Sequence, residues 1–159
     1  MKISAKIISA LLVLAVLFTF VGCNVNENDI TFDINEKGDE LLALASFDDN
    51  LTEVNKLILV TITGDSESVT DAKVYRGESG ATAEELFLIY CDELEKIEYV
   101  KTLLTSYVED QISGFEDYNP TEVPKLKDAV IISRGHYLLF CVAKDSSALP
   151  AAFEGYFKG

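Results

Sequence analysis

The side chains in this 159-residue chain that are rare enough for their positions to carry chemical meaning are three cysteines, one histidine and two arginines. Nucleophilic catalysis needs a hydroxyl or thiol paired with a base. The single histidine, His136, follows Gly135 at the start of an apolar run, and the chain holds no G-x-S-x-G motif and no Cys–His arrangement. His136 therefore reads as structural, and no enzyme is expected. Zinc is not expected either, because Cys91 and Cys141 lack C-x-x-C spacing and no second histidine exists. Asn24, Asn26, Asn28 and Asp29 resemble the oxygen ladder of a calcium loop, but the sixth position is not Gly and the twelfth is Asn35 rather than Glu. A solvated tether is the better reading, and no cofactor is called for. Glu84-Glu85, with Glu93, Glu95 and Glu98, offers carboxylates for acid–base work; a charged, solvated surface is favoured. Arg76 and Arg134 are the only arginines, and each closes an apparent first strand of a hairpin. They form a candidate anion-binding pair at one sheet edge, against the plainer reading of two arginines paired with nearby carboxylates.

The formal charge of −14 sets a further bound. Such a surface repels nucleic acid and anionic lipid headgroups, which are held by Lys and Arg. Neither is an expected ligand.

The N-terminus has its own logic. Lys2 and Lys6 precede the apolar run Ile7 to Phe20, which Phe20-Val21-Gly22-Cys23 closes. A basic start, a short apolar stretch and a small residue before the cut are the marks of an export signal. As a helix the run spans roughly 21 Å, short of a hydrocarbon core of about 30 Å. The Cys after a small residue resembles the lipobox of bacterial lipoproteins, with Phe20 standing where Leu is usual. The resemblance implies cleavage before Cys23 and lipidation of that residue. Residues 1–22 are then a signal peptide, 23–30 a polar tether, and 31–159 one domain on the outer face of the cell membrane. Its expected partners are the membrane, through the lipid, and an envelope protein or polymer. In that oxidising setting Cys91 and Cys141 are a candidate disulfide.

These residues need elements to position them. Ile34, Leu41, Leu42, Leu44 and Ala45 predict a helix within Asp33 to Phe47, weakened by Gly38. Residues 57–63 (L-I-L-V-T-I-T) stay undecided between strand and helix. The chain then repeats itself. Asp71 to Gly77 and Asp128 to Gly135 each read as a strand ending in Arg-Gly. Each precedes an apolar strand, Leu86 to Cys91 and Tyr137 to Val142, and then a helix. Ile97, Val100, Leu104, Val108, Ile112 and Phe115 form one stripe of the first helix, which Asn119-Pro120 stops. Pro150 fits the first turn of the last. The expectation is an α+β domain: an N-terminal helix, then two ββα units forming a four-stranded antiparallel sheet with helices packed on one face. If a pseudo-twofold relates the halves, Cys91 and Cys141 take similar places.

Gly114-Phe115-Glu116-Asp117-Tyr118-Asn119-Pro120, Glu122-Val123-Pro124-Lys125-Leu126 and Arg134-Gly135-His136-Tyr137 resemble the domain of unknown function family 4358. Ala83-Glu84-Glu85 before an apolar strand shares the likeness, which covers most of Thr31 to Tyr156. The resemblance implies a lipoprotein of a Gram-positive envelope; the chain differs from the family at residues 57–63, where the family is expected to have a short helix, which counts against a strand there. The resemblance implies no activity. The functional expectation is a non-enzymatic binding or accessory component of the envelope, with an enzyme or enzyme subunit acting on envelope polymers as the alternative.

Overall fold

A computed structural model describes residues 30–158. Cys23, the signal segment and all of the tether but Ile30 lie outside the described residues. Two stretches set the architecture. Leu86-Phe87-Leu88-Ile89 and Leu138-Leu139-Phe140-Cys141-Val142 have no polar residue on either alternating face, so each strand must be covered on both sides. They are the heart of β3 (Glu85–Tyr90) and β5 (Tyr137–Val142). The two pair antiparallel at the centre of the sheet, from Glu85 opposite Val142 to Tyr90 opposite Tyr137. Outside them lie β2 (Asp71–Gly77) and β4 (Val130–Arg134), with β1 (Leu51–Glu53) beyond β2. The order is β1-β2-β3-β5-β4, all antiparallel.

Each face has its own core. On one, Val74, Phe87, Ile89, Leu138 and Phe140 meet the long helix α3 (Leu94–Tyr118), together with α2 (Ile58–Thr63) and α4 (Val123–Lys127). Ile97, Val100, Leu104 and Val108 of α3 are buried there, and the Phe87 and Phe140 rings lie 4.9 Å apart. On the other, Leu86, Leu88, Leu139 and Cys141 meet α1 (Ile34–Leu44) and α5 (Leu149–Gly155). Asp33 caps α1 by accepting from the Asn35 N–H at 2.9 Å, which satisfies a donor that the first turn leaves unpaired.

The α+β class therefore holds, with two corrections. The sheet has five strands, because a three-residue strand, too short to show a period, is added beside β2. Helices cover both faces, since α3 and α5 follow equivalent hairpins but pack on opposite sides. The repeat is one of strand order and does not extend to the helices. Residues 58–63 are helical and end on Gly64 at φ 70°. The second hairpin turns tightly through Gly135-His136, with Gly135 at φ 52°.

Gly38 is a contact position. A Cβ there would lie 2.6 Å from Cγ and 2.9 Å from Cβ of Lys73. Lys73 runs beneath α1 to reach Glu53 at 2.5 Å. Ala would favour an isolated helix by about 1 kcal/mol. Gly38→Ala is nevertheless expected to lower stability by about 1–2 kcal/mol, because the backbone-proximal atoms of Lys73 cannot swing aside. Urea unfolding checks this; an unchanged or raised midpoint would show that α1 can lift without cost.

Candidate functional site

Glu84 and Glu85 are not a solvated pair: each is only 2 % exposed. Successive residues of an extended strand point to opposite sides, and the two carboxylates diverge accordingly. Glu84 turns to Lys125 of α4, whose ammonium is 3.0 Å from it. Lys125 is also 3.0 Å from Glu122 and from Asp48. The second oxygen of Glu84 accepts from the Asp48 and Asp49 N–H groups at 2.8 Å each. That of Glu122 accepts from the Ala83 N–H at 3.0 Å. This is a staple joining α4, the segment before β1 and the entry to β3. By contrast Glu93, Glu95 and Glu98 are exposed.

Glu85 turns to the α3 side and meets Arg76, directly across the β2–β3 ladder, with Arg76 Nε 3.0 Å from its carboxylate. A guanidinium N–H of Arg76 is 3.5 Å from the Tyr107 hydroxyl on α3. Burial pushes the Glu85 carboxyl up to about 7, against the opposing pull of Arg76 and of the Tyr107 hydroxyl. Burial and the neighbouring Glu85 also hold the Tyr107 phenol above its ordinary range.

These three groups floor an open groove of about 570 Å³. One wall is α3, where Tyr107, Gln111 and Phe115 recur every four residues and so share a face. The other is formed by Gly77 and the β2–β3 loop, residues 78–84, and Val54, Asn55 and Ile58 also line the groove. The loop is fastened at several points. Asp49 accepts from the Ser79 N–H at 3.2 Å, the Ser79 hydroxyl at 2.5 Å and the Thr82 hydroxyl at 3.1 Å. Asn119 donates to the Ala81 carbonyl at 3.1 Å.

The other candidate residues separate. Arg134 does not join Arg76. It stands opposite Tyr137 at the far end of the sheet, on the α5 face, and pairs with Glu154. The anion-binding pair at one edge is therefore corrected: the two arginines lie at opposite ends and on opposite faces. The Cys91–Cys141 disulfide is corrected as well. Both thiols are free and buried, one in each core. The Cys91 N–H bonds to the His136 carbonyl at 3.0 Å, five residues along from Cys141, or roughly 17 Å. A disulfide requires Cα atoms within about 7 Å. Burial pushes the Cys91 thiol up to about 11 and raises that of Cys141. Both are expected to resist alkylation in the native protein. Unreduced protein alkylated in denaturant should gain two labels on these residues by mass spectrometry; no label on either would restore the disulfide. His136 is held by the Cys91 carbonyl, 2.8 Å from Nδ1, and is no part of the groove.

Reading the sequence did not single out Tyr107, Gln111 or the burial of Glu85. One signal pointed to the last: a carboxylate directly before a strand apolar on both faces has nowhere solvated to go.

A model of the family described as Domain of unknown function (DUF4358) matches residues 64–143, about half of the chain. The matched stretch holds Arg76, Glu85, Tyr107, Gln111 and Phe115. No curated protein and no solved structure matches the chain. Among the described residues no helix is long and apolar enough to cross a membrane.

Proposed function

We propose a function from the premise that the chain belongs to the DUF4358 family of domains of unknown function: it is a non-enzymatic lipoprotein that binds an envelope component through the groove over Glu85. The observation carrying the binding role is the groove itself, wide enough for a ligand and walled by elements held in place from outside it. The anchoring role rests on Phe20-Val21-Gly22-Cys23 after an export-type segment. Two acyl chains suffice for stable anchoring where one gives only marginal binding.

A second reading has one observation in its favour. A buried carboxyl titrating near neutrality is what a general acid on a glycosidic or acyl bond requires, so Glu85 would act on an envelope polymer rather than hold it.

Two measurements test the proposal on the full chain. Cells expressing it should carry it in the membrane fraction, labelled by a fatty-acid analogue, and Cys23→Ser should remove both label and retention. A Cys23→Ser protein that stays membrane-bound and fully processed would sink the anchor. Detergent-purified protein should co-sediment with isolated cell walls, and Gln111→Ala should weaken that by several-fold. Co-sedimentation indifferent to Gln111 would remove the groove from the proposal. Soluble fragments released from the walls in a Glu85-dependent way would replace binding by catalysis.

A further inference from the structure

We infer that the groove takes a neutral sugar ring, one unit of a larger glycan, against the Tyr107–Gln111–Phe115 face of α3. The inference rests on the binding reading above and names its ligand class.

Charge narrows the choice first. Arg76 is the only basic residue lining the groove among the described residues, and Glu85 already occupies it. Glu78 lies at the loop, and the whole chain carries −14. A phosphate or carboxylate ligand would meet a cation already paired and a repelling field. An amine would meet the guanidinium. A neutral ligand pays neither penalty.

The lining then says what kind of neutral ligand fits. Tyr107 and Phe115 offer ring surface on one wall, with the Gln111 amide between them. The Gln111 side-chain amide has no hydrogen-bond partner among the described residues, and the Asn55 side chain uses only its amide oxygen, on the Leu57 N–H at 2.9 Å. Each amide group therefore brings free donors, and Gln111 a free acceptor as well. Sugar hydroxyls both donate and accept, so they are matched by the two side-chain amides. The C–H face of a pyranose supplies the apolar side that aromatic rings cover. A purely apolar ligand would cover the Gln111 and Asn55 amides without pairing them, at a cost in affinity. The groove's volume lies inside the range of small-ligand sites. It is open to solvent, so a ring within a longer chain can enter with its neighbours outside.

The test uses the full chain in detergent, with a neutral N-acetylglucosamine tetrasaccharide and neutral glucose and galactose tetrasaccharides as probes. Inorganic phosphate and an unrelated neutral peptide serve as contrasts. Calorimetry gives the affinity. At least one neutral tetrasaccharide is expected to bind. Tyr107→Ala should weaken that binding by at least tenfold and Gln111→Ala by about threefold to tenfold. Tyr99→Ala, on the exposed part of α3, should leave it unchanged. The Gln111 side chain makes no hydrogen bond among the described residues, so its variant keeps the test decisive if Tyr107→Ala fails to fold. Binding of none of the three saccharides, or binding indifferent to Gln111, overturns the inference. Groove-dependent binding of cell walls or of phosphate with no saccharide bound overturns the sugar class alone and leaves the binding reading standing.

Discussion

Lys125→Met is expected to destabilise the protein by about 3–5 kcal/mol, since it strips the cation from buried carboxylates rather than removing a balanced pair. Lys125 is 13 % exposed, and its partners Glu84 and Glu122 are 0 % and 6 % exposed in their side chains. Small domains are stable by roughly 5–15 kcal/mol in total, so this variant should approach unfolding at neutral pH. In the native protein burial works to lower the Lys125 pKa. The hydrogen bonds to Glu84, Asp48 and Glu122 outweigh it and hold the ammonium charged well above its ordinary range. The stability that Lys125 itself contributes is thus fully present below about 10.5 and is lost only in strong alkali. The variant removes that ammonium and leaves two buried carboxylates facing each other without a cation. Adding Glu84→Gln to Lys125→Met should recover part of the loss. Urea midpoints of the three proteins at pH 7.5 decide it. A Lys125→Met protein within 1 kcal/mol of wild type would mean that water, and not the ammonium, satisfies Glu84 and Glu122.

The second large effect belongs to Glu85. Its carboxyl is raised in the folded state, from 4.5 to about 7, chiefly by burial. A raised group contributes stability that is fully present below about 4.5 and is lost as pH rises through about 7. The shift corresponds to about 3 kcal/mol, so the native protein should weaken by that order between pH 4.5 and pH 8. Glu85→Gln keeps the shape and the hydrogen-bonding reach without the charge. Arg76, whose side chain is 38 % exposed, can then be solvated. Glu85→Gln is therefore expected to lose this pH limb and to be the more stable protein above pH 7. Parallel stability–pH curves for the two would show that Arg76 fully compensates the buried carboxylate.

Much of the frame was legible because it is periodic. β3 and β5 showed as apolar runs, α3 as a stripe spaced by three and four, and its end as Asn119-Pro120. The same runs held a further message. A strand apolar on both faces needs a layer on each side, so helices on one face alone could not have buried Leu86 and Phe87 together. β1, with three residues, and α4, with five, are too short to display a period and form only against their neighbours. The site was half visible. Arg76 stood out by rarity, yet its partner depends on which strand lies beside β2, a non-local fact. Glu84 and Glu85 carry the same charge as the surface acids around them. What distinguishes them is the apolar strand that they introduce.

The central pairing of β3 with β5 has a consequence for the order of events as the chain is made. Its nearest partners, Tyr90 and Tyr137, are separated by all of α3 and α4, so the pair forms only by closing a long loop. A chain emerging N-terminus first has β2 and β3 early, but the inner edge of β3 stays open until residues 137–142 arrive. Both cores draw on β5, so neither can be completed sooner. The nascent domain therefore remains unfinished until residues 137–142 have been made.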